Sequence, residues 1–292
     1  MAEITVSNDV LANIKDQVVL ITGGSSGIGR ATAQLCLDLG AKVVIGDLNP
    51  PNPEFKGTDQ AKYVEVNVTS WESLRNMFDE ADKAFGGIDH VFANAGVGPT
   101  TDFLSLNLTE GGRLEPPPLR TINVNLIGVL YTINLANAYM KQLASRRPAA
   151  KTGSIVLTAS ASSFQNFSAG DYTITKHGVL GMVRGLVHKL KVEGKIRLNA
   201  VAPSWTQTGM VPTEAIKAMG VPVQSPEAVA QSVVLLFADE SRHGEVIYSS
   251  QGRFKEMNNA DGGLLSMTEK LLFNKDNLDG VMQAISKQVT KS

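Results

Sequence analysis

A chain of 292 residues, 43% of them hydrophobic, can bury a full core, and its length fits one large domain better than two small ones. A formal net charge of −1 supplies no field to gather nucleic acid or anionic lipid, which argues against both as partners. The single cysteine, Cys36, forms no disulfide within the chain, and no apolar stretch approaches the ~20 residues that span a bilayer. With no secretory pattern at Met1-Ala2-Glu3, the expected location is cytoplasmic.

Taken in chain order, short apolar, β-branched runs alternate with helical patterns. The runs are Val18 to Thr22, Lys42 to Gly46, Tyr63 to Val66, His90 to Ala93, Ser154 to Thr158, Arg197 to Ala202 and Val246 to Tyr248. This rhythm predicts βαβ units and an α/β fold: one Rossmann-type, doubly wound parallel sheet of about seven strands flanked by helices. Any ligand crevice then lies beyond the carboxyl ends of the strands. Residues 1–252 are read as the Rossmann domain with its substrate loops. Residues 253–292 are read as a partly helical C-terminal extension packing on the same domain or on a neighbouring subunit. The polar, Gly- and Pro-rich connection 97–118 is a candidate for shaping a substrate pocket, with a mobile loop or an oligomer contact as the alternatives.

The first run leads into Thr22-Gly23-Gly24-Ser25-Ser26-Gly27-Ile28-Gly29 and then a helical pattern from Arg30 to Leu39. Strand, glycine turn and helix in that order bring backbone close to a pyrophosphate, whose charge meets free N–H groups and the positive end of the helix dipole. Asp47 ends the second strand 20 residues after Gly27, where a carboxylate can accept from both ribose hydroxyls and would repel a 2′-phosphate. Ser26 and Leu48 add no basic charge, so the expected cofactor is NAD rather than NADP. Arg30 is the nearest cation and reads as part of a surface helix.

Tyr172 and Lys176 lie four residues apart in a helical pattern, so they share a face. Free tyrosine ionises near ~10, and serving as a base near neutrality needs ~3 to 4 kcal/mol of help for the phenolate. A neighbouring ammonium gives that help, whereas burial alone opposes it. His90, His177, His188 and His243 are scattered, and no metal-ligand set is expected.

The chain resembles the short-chain dehydrogenase/reductase family across about residues 15–250. The matching features are the Thr22 to Gly29 turn, Asp47, Asn94-Ala95-Gly96, Asn125, Ser160 and Tyr172-x-x-x-Lys176, in the family's order. The resemblance implies that Tyr172 is the acid/base, that Lys176 lowers its pKa and holds the nicotinamide ribose, and that Ser160 orients the substrate oxygen. It also implies that Asn125, rather than Asn123, holds water in a proton relay. Gly23, Ser25, Ser26, Gly27, Ile28, Gly29, Asp47, Asn94, Ala95, Gly96, Tyr172 and Lys176 would contact or shape the cofactor site. Asn67-Val68 stands where the family often has an Asp beside the adenine, and the Asn67 carbonyl is expected to accept from the adenine amino group.

Two segments depart from the family pattern. Pro203-Ser204-Trp205-Thr206-Gln207-Thr208 has Ser204 in place of a glycine, with Thr206 and Thr208 still able to contact the nicotinamide carboxamide. Ser249-Ser250-Gln251-Gly252 stands where many members have an Asp and paired glycines. The implied reaction interconverts a secondary alcohol and a ketone by hydride transfer with nicotinamide C4. Phe103, Leu104, Phe164, Phe167, Trp205, Met210 and Val211 suggest a bulky lipophilic substrate of the polyketide, terpenoid or steroid-like kind met in secondary metabolism, although such residues also pack ordinary loops. A homodimer or homotetramer is expected by resemblance. Two rival readings remain: a non-catalytic NAD-sensing or scaffold protein, and a cyclase or isomerase in which the cofactor is a spectator.

Overall fold

The computed structural model describes residues 3–53, 55, 59–100, 102, 104–146 and 153–271. The chain opens with β1 (Glu3–Ile4), α1 (Asn8–Leu11), β2 (Val18–Thr22), α2 (Gly27–Asp38), β3 (Lys42–Asp47), β4 (Ala61–Glu65), α3 (Trp71–Phe85) and β5 (His90–Ala93). It continues through α4 (Arg120–Ile122), a π-helical turn Asn123–Ile127, α5 (Gly128–Arg146), β6 (Ser154–Thr158), α6 (Gly170–Gly194) and β7 (Arg197–Pro203). Then come α7 (Thr213–Ala218), α8 (Pro226–Ala238), β8 (Val246–Ser250), β9 (Arg253–Glu256) and α9 (Leu264–Leu271).

The seven apolar runs are the seven strands β2 to β8, all parallel, in one sheet of order β1-β9-β8-β7-β6-β5-β2-β3-β4. Apart from the edge strand β4, they read as largely apolar runs because both faces are buried. Leu20, Val44, Val91, Ile155 and Leu198 point to one face, where Phe78 of α3, Val129 of α5 and Val179 of α6 cover them. Their alternate neighbours Val19, Val43, Phe92, Val156 and Ile247 point to the other, against Cys36 of α2 and Val233 of α8. The lone thiol is therefore a core group, and burial pushes its pKa up.

The sheet has two strands more than the expected seven. β9 runs antiparallel to β8, and β1 runs antiparallel to β9. The expected domain boundary after residue 252 falls in the turn of the β8–β9 hairpin, and Leu264 packs against the α3–α5–α6 side of the core. The remainder of the extension, 272–292, lies outside the described residues.

One buried cation organises the sheet's far end. Arg197, at the start of β7, donates to the carbonyls of Leu236 and Phe237 (both 2.7 Å), Asp239 (3.1 Å) and Arg242 (3.3 Å). These include the free carbonyls that end α8, where a positive charge is favoured by the helix dipole. Arg197→Met takes the donor from the Leu236 and Phe237 carbonyls, while the Asp239 and Arg242 carbonyls keep the Arg242 N–H and the Asn199 amide, and the expected loss is about 3 kcal/mol. A lower urea midpoint at unchanged slope checks this, and an unchanged midpoint contradicts it.

Candidate active site

β2 pairs with both β3 and β5, so the chain winds to one side of β2 through β4 and to the other through β8. The loops leaving β2 and β5 consequently diverge and open a crevice at the topological switch. A cavity of about 1040 Å³ occupies it.

The glycine turn forms one wall. Gly23 (φ +67°) and Gly27 (φ +51°) adopt left-handed backbone, and a Cβ on Gly29 would lie 2.1 Å from the Gly23 carbonyl oxygen. Gly29 thus lets α2 seat directly under the turn without lining the cavity itself, whereas Gly23, Ser26, Gly27 and Ile28 do line it. Ser26 caps α2 by position only, since its side chain makes no capping bond, and the first-turn N–H groups are left for an anion. Ser25 is turned away: its N–H donates to Asp47 Oδ2 (3.1 Å) and its hydroxyl to the Asn49 carbonyl (2.7 Å). That bond holds the Asp47 carboxylate at the end of β3, on the cavity wall. Arg30 is not a plain surface residue. It is half-buried, with its guanidinium 4.6 Å above the Phe55 ring.

Asn94, Ala95 and Gly96 line the cavity after β5. The Asn94 amide donates to the carbonyls of Thr22 (3.2 Å) and Gly23 (3.0 Å), and its oxygen accepts from Thr158 Oγ1 (3.2 Å). Asn67 and Val68 line the cavity too, but one expectation changes. Asn67 Oδ1 already accepts from the Thr69 N–H (3.0 Å) and hydroxyl (2.8 Å), which fills both lone pairs. The Asn67 carbonyl is therefore committed to its own turn rather than kept for an adenine amino group.

Ser160, Tyr172 and Lys176 converge on the same cavity. Ser160 begins a short 3₁₀ turn as its N-cap, accepting from the Ser162 N–H at 3.2 Å. Ser163 Oγ accepts from the Ser160 N–H (3.2 Å) and donates to the Lys176 carbonyl (2.7 Å), so it locks this turn to α6. Burial pushes the Tyr172 phenol above its ordinary value, and a hydrogen bond with the Ser160 side chain pulls it partly back. Lys176 Nζ donates to the Thr158 carbonyl at 2.7 Å and stands 5.5 Å from the Tyr172 ring centroid. Burial pulls its ammonium down to about 8.

Asn125 sits in the π-helical turn with its side chain tied to Val97. Its Oδ1 accepts from the Val97 N–H (2.8 Å), and its Nδ2 donates to the Val97 carbonyl (2.9 Å) and approaches Thr175 Oγ1 at 3.4 Å. The side chain is 1% exposed and does not line the cavity. Asn123, by contrast, is exposed on another side of the turn.

The loop after β7 supplies Trp205, Thr206 and Thr208 to the cavity. The Thr206 hydroxyl is turned inward, donating to the Ser204 carbonyl at 2.9 Å. Trp205 meets Phe167 edge to face, with ring centroids 5.8 Å apart, and Met210 and Val211 extend this apolar wall. Phe164 instead packs on the core, Leu104 is 91% exposed, and Phe103 lies outside the described residues. Gln165, Ile216, Val221, Pro222 and Tyr248 also line the cavity, and no motif pointed to them. Of the connection 97–118, Val97 and Pro99 reach the cavity. The Thr100 N–H is tied at 3.0 Å to the buried carboxylate of Asp171, the residue before Tyr172. Further out, a bridge between Leu108 and Leu114 closes a small hairpin whose leucines are exposed.

A glycine turn under a helix N-terminus, opening on the cavity that holds Ser160, Tyr172 and Lys176, defines a dinucleotide-dependent oxidoreductase site. The model of the short chain dehydrogenases matches residues 17–218, and the chain belongs to that family. It is 45% identical over 258 residues to the short-chain dehydrogenase/reductase ascJ of Acremonium egyptiacum, covering 88% of this chain and 86% of that one. It is 31% identical to the mitochondrial (-)-isopiperitenol/(-)-carveol dehydrogenase of Mentha piperita, over 77% of this chain and 88% of that one. Among solved structures, the 3-ketoacyl-(acyl-carrier-protein) reductase of Brucella melitensis complexed with NADH superimposes with a TM-score of 0.69. That likeness covers 82% of this chain and 98% of that chain at 22% identity, and shows the shared fold.

The Lys176 shift has a measurable sign. Its folded pKa, about 8, lies below the unfolded value, so between about 8 and the ordinary 10.5 the unfolded chain binds more protons there and stability from this residue rises with pH. The stability difference between the wild type and Lys176→Met, followed by urea unfolding across that window, should move in the wild type's favour as pH rises. A flat difference contradicts it.

Proposed function

We propose that this protein is an NAD(H)-dependent oxidoreductase that interconverts a secondary alcohol and a ketone on a bulky lipophilic small molecule. The observation that carries the reading is the convergence of Ser160, Tyr172 and Lys176 on the cavity that also contains the glycine turn and Asp47. The glycine turn and α2 would hold the pyrophosphate, Asp47 the adenosine ribose, Val68 the adenine, and Lys176 the nicotinamide ribose. A nicotinamide held there would supply the redox chemistry, hydride exchange with the carbinol carbon.

The chain's own groups handle the proton and the geometry. The Ser160 hydroxyl and the Tyr172 phenol, which face the same cavity, would share the substrate oxygen between them. Tyr172 would take the alcohol proton in oxidation and return it in reduction. Because burial works against the phenolate, the Lys176 ammonium is needed to favour it, and the Thr158 carbonyl fixes that ammonium in place. Since the Asn125 amide is tied to Val97, its part in a proton relay falls to the backbone of the π-helical turn.

Asp47 supports NAD over NADP, because a carboxylate at the ribose repels a 2′-phosphate and neither Ser26 nor Leu48 offsets it. The Phe167–Trp205 pair, Met210 and Val211 support a lipophilic substrate, as does the mint relative named for two terpenoid alcohols.

Tyr172→Phe should lower alcohol oxidation at least about a hundredfold while leaving NADH affinity within about twofold, as expected for loss of an acid/base. Reduced-nicotinamide absorbance with a panel of lipophilic secondary alcohols reads the rate, and full activity in the variant would refute the mechanism. Asp47→Ala should shrink the preference for NADH over NADPH about tenfold or more, since a charge-assisted contact and a repulsion are both lost. Unchanged relative affinities in a fluorescence titration would remove Asp47 from the ribose site.

A further inference from the structure

Gln224 belongs to none of the family's motifs. It lies between α7 and α8, 5% exposed, beneath the loop that follows β7. Its Nε2 donates to the Ser249 carbonyl at 3.0 Å and stands 3.2 Å from Ser249 Oγ and 3.3 Å from Thr206 Oγ1. Its backbone pairs with the same loop: the Gln224 N–H donates to the Trp205 carbonyl, and the Gln207 N–H donates to the Gln224 carbonyl, both at 2.9 Å. Trp205, Thr206 and Thr208 face the cavity, whereas Gln224 does not. One residue thus fastens a cavity-lining loop to the carboxyl end of β8 from behind.

The clamp joins the two places where this chain departs from the family pattern, Pro203-Ser204 and Ser249 to Gly252. The Ser204 N–H also donates to the Ser249 carbonyl, at 2.9 Å, so both segments meet on one acceptor. Stability alone is a poor reason for an amide here. Gln224 Oε1 is buried without a partner among the described residues, and an unmet buried acceptor is costly. An apolar side chain of similar shape would remove that cost.

We propose that Gln224 is a positioning residue for the nicotinamide end of the cofactor, acting through Trp205, Thr206 and Thr208. This rests on the cofactor reading above. Without the side-chain bonds, the loop after β7 keeps its Ser204 bond to β8 but loses the tie at Thr206, while the glycine turn, Asp47 and Val68 keep supports that Gln224 does not touch. The adenosine diphosphate half of the dinucleotide should then bind as before, and the nicotinamide half should bind less well.

The test is calorimetric titration of the full chain with NADH and with ADP-ribose, which lacks the nicotinamide, in the wild type, Gln224→Met and Ser249→Ala. In Gln224→Met the Kd for NADH should rise about tenfold with that for ADP-ribose within about twofold, the scale of one or two buried hydrogen bonds. Ser249→Ala, which removes only the hydroxyl, should shift the same ratio by a smaller factor. A Gln224→Met ratio equal to the wild type's overturns the proposal, whether both affinities hold or both fall together. Wild-type protein that binds neither ligand overturns the cofactor reading itself, and the proposal with it.

Discussion

The site depends on how the ends of β2 and β5 are held at the switch point of the sheet. Asn94 ties them: its amide donates to the Thr22 and Gly23 carbonyls, and its oxygen accepts from Thr158 on β6. Thr22 returns the contact, its hydroxyl accepting from the Asn94 N–H at 3.1 Å and the Ala95 N–H at 3.2 Å. Two parallel strands whose chains depart in opposite directions expose backbone polar groups at their ends, and a buried group left unpaired is costly. A short carboxamide with two donors and an acceptor answers two of those needs at once and takes the Thr158 hydroxyl besides. The glycine turn and the Lys176–Thr158 contact both build outward from the strands this residue joins.

Charge at the reacting end is governed by burial. The phenol of Tyr172 and the ammonium of Lys176 are both driven toward their neutral forms, the first by a raised pKa and the second by a lowered one. A pair left to desolvation alone would be a poor base and a poor cation. The Ser160 side chain opposes this at the phenol, and the Thr158 carbonyl holds the ammonium in place. Ser163 matters to both, because it ties the Ser160 turn to the backbone of Lys176.

Most of this was legible in the sequence, for identifiable reasons. A strand buried on both faces writes itself as a largely apolar run, so the central strands could be read directly, and at the edge strand β4 the reading rested on the shorter run Tyr63 to Val66. β1 and β9 could not: the first is two residues long, and Arg253–Glu256 has three charged residues and a single apolar one, Phe254. Motif residues told which side chains gather, but not which way they face. Ser25 and Gly29 serve the turn from outside the cavity, Asn67 satisfies its own loop, and Asn125 closes on Val97. A motif position records that a residue type is needed, and a backbone contact behind the wall needs it as much as a ligand does. Gln224 was invisible because its partners, Thr206 and Ser249, come from separate elements joined only by folding.

The small hairpin bridged at Leu108 and Leu114 leaves Leu104, Leu106, Leu108 and Leu114 more than half exposed. Leu106 and Leu108 lie two residues apart on the outgoing segment, an exposed apolar strip next to a bridge, the kind of edge that invites pairing between molecules. The returning segment runs into Pro116, Pro117 and Pro118, three consecutive residues with no N–H to offer a neighbouring strand. The acidic and basic side chains of Glu110, Arg113 and Glu115 interrupt the apolar strip at its tip. A loop beside the cavity mouth thus keeps its apolar surface while carrying its own protection against aggregation.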